Sequence, residues 1–197
     1  MSFVKLDLSQ DNCWIFKRSL DTIFLQSKLL LNNNFKHAFF TRKTKENDPE
    51  FLYKLFGGKS SIHLLHQIHS NKVINASKSN LLSSKQGDSL ISDKTLQSLW
   101  VYSADCIPIL LADTKRGNVA AIHSGWKGLA KNNIKSTIKR LEAIGSKKKD
   151  LIAAIGPAIS QAQYNVGQEV VNSIYKALEQ NNSSNNKEIS RKMILLK

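Results

Sequence analysis

The chain of 197 residues is long enough for one domain with a sizeable core, and its 41% hydrophobic content is ordinary for a folded protein. Two cysteines, no apolar run of about 18 residues and a polar N-terminal segment argue against a disulfide-rich, membrane-spanning or exported protein, so we expect a cytoplasmic location and reduced thiols. The formal charge of +14 is spread over scattered lysines, with 147–149 as the only tight run, so we expect a solvated basic surface and no specific nucleic-acid partner.

The first half of the chain is predicted to consist mainly of short strands. Loose alternation over 12–31 predicts a strand pair, and a turn followed by a strand is predicted over 32–42. The segment 48–58 predicts a short helix with Asp48 as N-cap, a proline in its first turn and glycines at its end. Further strands are predicted at 62–69, 72–76, 89–93, 100–105 and 107–113.

The second half alternates strands with longer helical patterns. A turn at 115–118 precedes a buried strand at 118–123. One helix is predicted from Trp126 to Ile144, stopped by Gly145, with a single apolar face formed by Leu129, Ala130, Ile134, Ile138 and Leu141. We then expect a strand and turn, an amphipathic helix, a low-complexity loop and a final apolar run, at 151–159, 166–179, 181–186 and 187–197. No repeat or linker divides the chain, which predicts one mixed α/β domain over 1–197.

Three groups with metal-binding or nucleophilic chemistry lie at the ends of predicted strands. His69 closes the strand 62–69, Cys106 lies between two strands, and His123 closes the strand 118–123. Strand ends that meet at one edge of a sheet are a usual place for a site. Two imidazoles and a thiolate match a zinc site with one open position, whereas Cys106 with His123 alone matches a nucleophile and its base. The residue types leave both interpretations open.

Other histidines and two acids are weighed against this set. Asp105 and Asp113 flank the strand 107–113, where each can either orient a histidine or cap a turn. One further histidine lies on the opposite face of its strand from His69, and two others lie inside strand patterns as structural or exposed residues. These three are His66, His63 and His37.

The segment HSGWKG (123–128) offers anion-binding chemistry beside His123. Its two glycines let the backbone approach a ligand closely, and the predicted helix directs free N–H groups and its positive dipole end to the same place. Lys127 adds a charge there, and Arg42 is a second candidate for an anionic substrate.

Five ordered segments resemble the laccase-domain family, also called multicopper polyphenol oxidoreductase-like or YfiH-like proteins. Members of that family carry QVHG-type, GDALVTD-type, TADCxPxLLAD, HAGWRG and IGPxIxxxxYEVGxEV segments. The counterparts in this chain are HQIHSNKV (66–73), GDSLISD (87–93), SADCIPILLAD (103–113), HSGWKGLAKNNI (123–134) and IGPAISQAQYNVGQEV (155–170). The match is strongest over 35–170, and five motifs in order make it specific.

The resemblance implies a single-domain, four-layer α/β/β/α sandwich with zinc held by His69, Cys106 and His123, the last two in catalytic positions. It also implies phosphorolysis of the purine nucleosides adenosine, inosine and methylthioadenosine, with deamination of adenosine as a further activity. Lys127 and Arg42 are then the expected phosphate-binding residues. Copper, and the older family label of polyphenol oxidation, are disfavoured because one cysteine and few histidines do not make a multicopper cluster.

The family's C-terminal segment has no counterpart before Lys197. We therefore expect a truncated member that lacks one strand and one wall of the active site. The alternatives are an inactive truncated member and a metal-free cysteine hydrolase or deamidase in which His123 activates Cys106.

Overall fold

The computed structural model describes residues 13–19, 22–44, 48–82 and 84–181. Within these ranges the chain forms ten strands and five α-helices, in agreement with the predicted mixed α/β fold. The predicted low-complexity loop beyond Asn181 and the apolar run that ends at Lys197 lie outside the described residues. No helix of the described part is both long and apolar enough to cross a membrane.

The predicted N-terminal strand pair forms and gains a third strand. The three strands are antiparallel in the order β1-β2-β3, with bounds β1 (Trp14–Ser19), β2 (Thr22–Ser27) and β3 (Phe39–Phe40). The predicted pair extends too far, because Lys28–Asn32 is the helix α1. The three consecutive leucines there carry no alternation, and the helix buries Leu30 in the cluster that contains Phe39 while Leu29 stays exposed.

The short helix predicted after this sheet is confirmed as α2 (Pro49–Lys54). Asp48 caps it, since its carboxylate accepts a hydrogen bond from the backbone N–H of Glu50 at 3.1 Å. Gly57 and Gly58 follow with positive φ values, which lets the chain turn away from the helix.

A five-stranded mixed sheet positions the candidate site. Its order is β10-β8-β9-β6-β5, and all pairs are antiparallel except β5 with β6. The bounds are β5 (Val73–Asn75), β6 (Ser89–Ile91), β8 (Ile107–Asp113), β9 (Val119–Ser124) and β10 (Leu151–Ile155). A separate parallel pair joins β4 (Ser61–His63) to β7 (Gln97–Leu99).

One predicted strand is shorter than expected and another is absent. The strand predicted at 62–69 ends at His63: the N–H groups of Leu64 and His66 bond to the backbone of irregular segments, and those of 68–70 bond to the carboxylate of Asp88. The strand predicted at 100–105 is absent, since the side-chain amide of Gln67 occupies the backbone N–H and C=O of Tyr102. At 68–70 and at Tyr102 a polar side chain therefore takes the place of a strand partner.

Side chains on the two faces of β8 belong to two separate core clusters. Ile109 and Leu111 join one cluster, with Ile122 of β9, while Ala112 joins the cluster of Leu25 and Phe39 from the first sheet. The sheet is therefore covered on both faces, as its apolar central strands require. The predicted four-layer arrangement stays a prediction.

The single helix predicted at 126–144 is two helices, α3 (Trp126–Ala130) and α4 (Asn133–Ala143), separated by the left-handed conformation of Asn132 (φ +61°). Leu141 is fully buried against the sheet, whereas Leu129, which was expected on the same face, is 42% exposed because it belongs to α3. Gly145 stops α4 as predicted: its N–H bonds to the carbonyl of Glu142 and that of the next residue bonds to Leu141. The last described helix is α5 (Gln168–Asn181), also as predicted.

Candidate metal centre

Three neighbouring strands bring the candidate residues to one end of the five-stranded sheet. Cys106 immediately precedes β8, and His123 lies near the end of the antiparallel β9, where it is paired with Pro108. The loop that carries His69 is drawn to the same end by Asp88, which immediately precedes β6. Cys106 and His123 therefore lie at strand ends that meet at one end of the sheet, as the sequence predicted, whereas His69 lies in a loop and not at the end of its predicted strand.

The ligand atoms of His69, Cys106 and His123 all lie within 4.8 Å of one another. The Cys106 Sγ and the His69 Nε2 are 3.8 Å apart, and the two imidazole centroids are 4.8 Å apart in an edge-to-face arrangement. Zinc–nitrogen and zinc–sulfur bonds of about 2.1 and 2.3 Å place tetrahedral ligand atoms about 3.3–3.8 Å from one another. The cluster is therefore close to the spacing that a tetrahedral metal requires.

The absence of a side chain at Gly125 allows Cys106 and His69 to lie close together. A Cβ atom built on it would lie 2.8 Å from the Cys106 Sγ and 2.8 Å from the His69 Cδ2. Any residue can adopt its backbone conformation (φ −77°, ψ 168°). Glycine is therefore required here only because a side chain would collide with Cys106 and His69. The first glycine of HSGWKG thus packs against two of the three candidate ligands.

His123 is oriented by Asp88, a residue that the sequence analysis did not single out. Its Nδ1 donates to the Asp88 Oδ1 at 2.9 Å, which leaves Nε2 available to a metal. Both residues are buried, at 4% and 0% exposure. Burial raises the pKa of Asp88, but hydrogen bonds from His123, Ser70 and His69 outweigh it and hold the pKa below its usual value.

Asp88 lies in the GDSLISD segment, and no local spacing links it to His123, which is 35 residues away. Of the two acids considered instead, Asp113 caps a turn, accepting from the backbone N–H groups of Lys115 and Arg116 at 2.8 and 3.0 Å. Asp105 is exposed beside Cys106.

The Cys106 thiol is held in its protonated form when no cation is near. Burial raises its pKa, and the negative charges of Asp105 and Asp88 raise it further. A divalent cation at the centre of the cluster reverses this balance, because a coordinating thiol is deprotonated outright. A raised pKa therefore disfavours a free thiolate at Cys106 when no cation is present.

The other three histidines lie outside the cluster, as expected. His37 is buried, with Nε2 accepting from the backbone N–H of Ser27 at 2.7 Å and Nδ1 2.8 Å from the carbonyl of Phe35. His63 is buried too, with its ring nitrogens against Ser61 and Ser79. Exposed His66 pairs through its backbone with Gln86.

The two basic side chains that are predicted to bind an anionic substrate lie at the surface. Lys127 is exposed in the first turn of α3, and its ammonium is 5.5 Å from the centroid of the Trp126 ring. Arg42 is exposed in the turn after β3. Because α3 is only five residues long, its dipole is weaker than that of the long predicted helix, so the anion-binding prediction depends mainly on these two side chains.

Comparison with known proteins identifies relatives of this chain. A family model described as multi-copper polyphenol oxidoreductase laccase matches residues 33–196. A purine nucleoside phosphorylase of Synechocystis sp. is 33% identical over 162 residues, which cover 79% of this chain and 61% of that protein. One from Rickettsia conorii is 34% identical over 142 residues, covering 70% and 58%. The chain thus spans about three fifths of the length of these curated relatives.

Solved structures share the fold. A Neisseria meningitidis protein superposes with a TM-score of 0.60 at 25% identity, covering 85% of this chain and 72% of that one. The hypothetical protein YfiH of Bacillus licheniformis superposes with a TM-score of 0.63 at 20% identity, covering 88% and 73%.

Proposed function

The chain belongs to the multi-copper polyphenol oxidoreductase laccase family, and we propose that it is a zinc-dependent purine nucleoside phosphorylase. The convergence of His69, Cys106 and His123 within 4.8 Å is the observation that carries this proposal. The printed names of the Synechocystis and Rickettsia relatives supply the reaction class. The activity itself is a proposal for this chain, which spans only part of the length of those relatives.

The donor set favours zinc over copper. One thiolate and two imidazoles suit a tetrahedral zinc site with an open position, and they are the one such group among the described residues, whereas multicopper chemistry needs several histidine-rich sites. When bound, zinc supplies a Lewis acid that polarises an oxygen of the substrate.

The chain's own residues prepare the site for such a substrate. Asp88 fixes the ring of buried His123, so that Nε2 faces the cluster. Exposed His69 and half-buried Cys106 leave the cluster open to solvent on one side, from which a nucleoside can approach. The cluster is therefore fixed on its buried side and accessible to substrate on its exposed side.

Lys127 and Arg42 are the proposed phosphate-binding residues, since each brings an exposed positive charge to the surface of this domain. In phosphorolysis a phosphate oxygen forms a bond to the sugar C1′, the C1′–N9 bond breaks, and the purine leaves with a proton. The products are a free base and a sugar 1-phosphate. We propose adenosine, inosine and methylthioadenosine as substrates, with deamination of adenosine as a further activity.

The metal-free alternative has one structural observation in its favour. Asp88, His123 and Cys106 stand in the order of a carboxylate, a base and a thiol, as a cysteine hydrolase or deamidase requires. The raised pKa of Cys106 counts against it, and His69 would have no role. Iodoacetamide labelling of Cys106 that added zinc does not slow would favour this alternative, whereas protection by zinc supports the metal centre.

The decisive experiment combines metal analysis with product analysis on the purified full chain. We expect about one zinc per chain, lost in His69→Ala and Cys106→Ser but retained in His66→Ala, a matched control for an exposed histidine three residues away. Hypoxanthine should appear from inosine only when phosphate is present. A fully zinc-loaded chain that turns over none of the three nucleosides would contradict the activity and indicate an inactive member, and a chain that binds no zinc would contradict the whole proposal.

A further inference from the structure

One carboxylate, that of Asp88, contacts both histidines of the candidate metal centre. Its Oδ1 accepts a hydrogen bond from the His123 Nδ1 at 2.9 Å and another from the backbone N–H of His69 at 2.9 Å. We propose that Asp88 is the positioning residue that sets both histidine ligands at once. This inference rests on the metal site of the proposed function and not on its nucleoside chemistry.

The second oxygen of Asp88 fixes the loop that carries His69. The Oδ2 accepts from the backbone N–H and the hydroxyl of Ser70 at 2.6 and 2.7 Å, and from the N–H of Ile68 at 3.4 Å. All of these groups are donors, so only a group with two acceptor oxygens satisfies them together with His123. An asparagine offers one oxygen and one NH₂ group, and it must therefore lose either the histidine side or the serine side of the network.

His69 depends on this network for its conformation. Its φ of +56° is left-handed, a region that residues with a Cβ atom rarely adopt and that persists where the surroundings enforce it. The bond from its N–H to Asp88 is part of that enforcement. Without it, the backbone of His69 relaxes toward negative φ and carries the imidazole away from the Cys106 Sγ, now 3.8 Å from the His69 Nε2.

A matched control lies at the other end of the same strand. Asp93 follows β6 as Asp88 precedes it, and it also accepts from a backbone N–H, a serine hydroxyl and side-chain amides, contributed by Ser77, Asn75 and Gln97. Among the described residues, Asp93 belongs to no group that could hold a metal ion. Asp93→Asn therefore removes an equivalent structural carboxylate without touching the metal centre.

The test is the zinc affinity of the full chain, measured by competition with a chromophoric chelator. We expect Asp88→Asn to bind Zn²⁺ about 10- to 100-fold more weakly than the parent, as is usual for the loss of a carboxylate behind a histidine ligand. Asp93→Asn should bind within about twofold of the parent, while both variants lower the melting temperature of the metal-free chain. With Co²⁺ as the probe, the thiolate-to-metal absorption band should shift in Asp88→Asn alone.

An Asp88→Asn affinity within twofold of the parent overturns the inference. If that variant does not fold, Ser70→Ala and Ser77→Ala decide: the first should weaken Zn²⁺ binding several-fold and the second should not, and equal affinities overturn the inference. A parent chain that binds no zinc overturns both this inference and the proposed function. A zinc-loaded, inactive parent that still shows the Asp88 effect supports the inference and contradicts only the phosphorylase activity.

Discussion

Replacing Gly125 by alanine tests whether the centre is built for a ligated geometry. The new Cβ would lie 2.8 Å from both the Cys106 Sγ and the His69 Cδ2, and 3.6 Å from the His69 Nε2. Ordinary contacts of this kind are about 3.5–4.0 Å, so two of the three are about 0.7 Å or more too short. The backbone of Gly125 accepts alanine without strain, which leaves these contacts as the main perturbation.

We expect Gly125→Ala to lower the affinity for zinc more than it lowers the stability of the fold. In the metal-free chain the exposed imidazole of His69 can swing away from the methyl group, whereas a bound metal fixes the ring in place. Overpacking of this size costs about 1–3 kcal/mol. If that cost falls on the metal-bound form alone, Zn²⁺ binding weakens about 5- to 140-fold.

Chelator competition measures the affinity, and calorimetry of the metal-free chain measures the stability. Gly167→Ala is the control, since a Cβ there meets nothing within 4 Å. We expect the control to bind Zn²⁺ like the parent, and the melting temperature of metal-free Gly125→Ala to fall by no more than a few degrees. A Gly125→Ala affinity within twofold of the parent would refute the reasoning.

Three further predictions concern the fold. Gly156→Ala places a Cβ in steric conflict with a ring carbon of Phe39, so we expect the free energy of unfolding to fall by at least about 1–3 kcal/mol in a urea titration, and an unchanged midpoint would contradict this packing. Leu141→Ala should cost about 2–5 kcal/mol and Leu129→Ala within about 0.5, because the first side chain is fully buried and the second is 42% exposed; equal losses would contradict the two-helix assignment. Asp93 has its pKa lowered from 3.8 to about 2 by hydrogen bonds that outweigh the effect of burial. The ionised carboxylate contributes at most about 2 kcal/mol to the free energy of unfolding; this contribution is present above pH 4 and is lost as the pH falls from about 4 to 2. Asp93→Asn should therefore make the free energy of unfolding depend less steeply on pH below pH 4. An unchanged slope there would contradict this role of Asp93.

The parts of the site that sequence could predict are those fixed by strand ends. Cys106 and His123 stand at the boundaries of strongly apolar segments, and such strands are readable from local pattern alone. His69 was identified together with them, although its predicted strand ends at His63. The convergence of the three within 4.8 Å confirms that the ends of these segments meet.

The parts that sequence could not predict depend on long-range polar contacts. Asp88 bonds to residues 18–20 positions before it and 35 positions after it, and no local periodicity reports such contacts. The break at Asn132 has a similar origin. Asn133 donates from its amide to the carbonyl of His123 at 3.1 Å and accepts from the Ser124 hydroxyl at 3.2 Å, so the start of α4 is tied to the end of β9 and the helical pattern is interrupted.

The three candidate ligands differ in how their segments are attached. Cys106 and His123 stand on the β8–β9 hairpin, whose backbone hydrogen bonds are lost only when the sheet opens, whereas the backbone N–H groups of 68–70 are held by one side chain, that of Asp88. Local opening of the His69 segment therefore requires far less free energy than opening of the hairpin. We expect zinc to enter and leave by way of His69, with a release rate that follows amide hydrogen exchange in 68–70 and is independent of global unfolding.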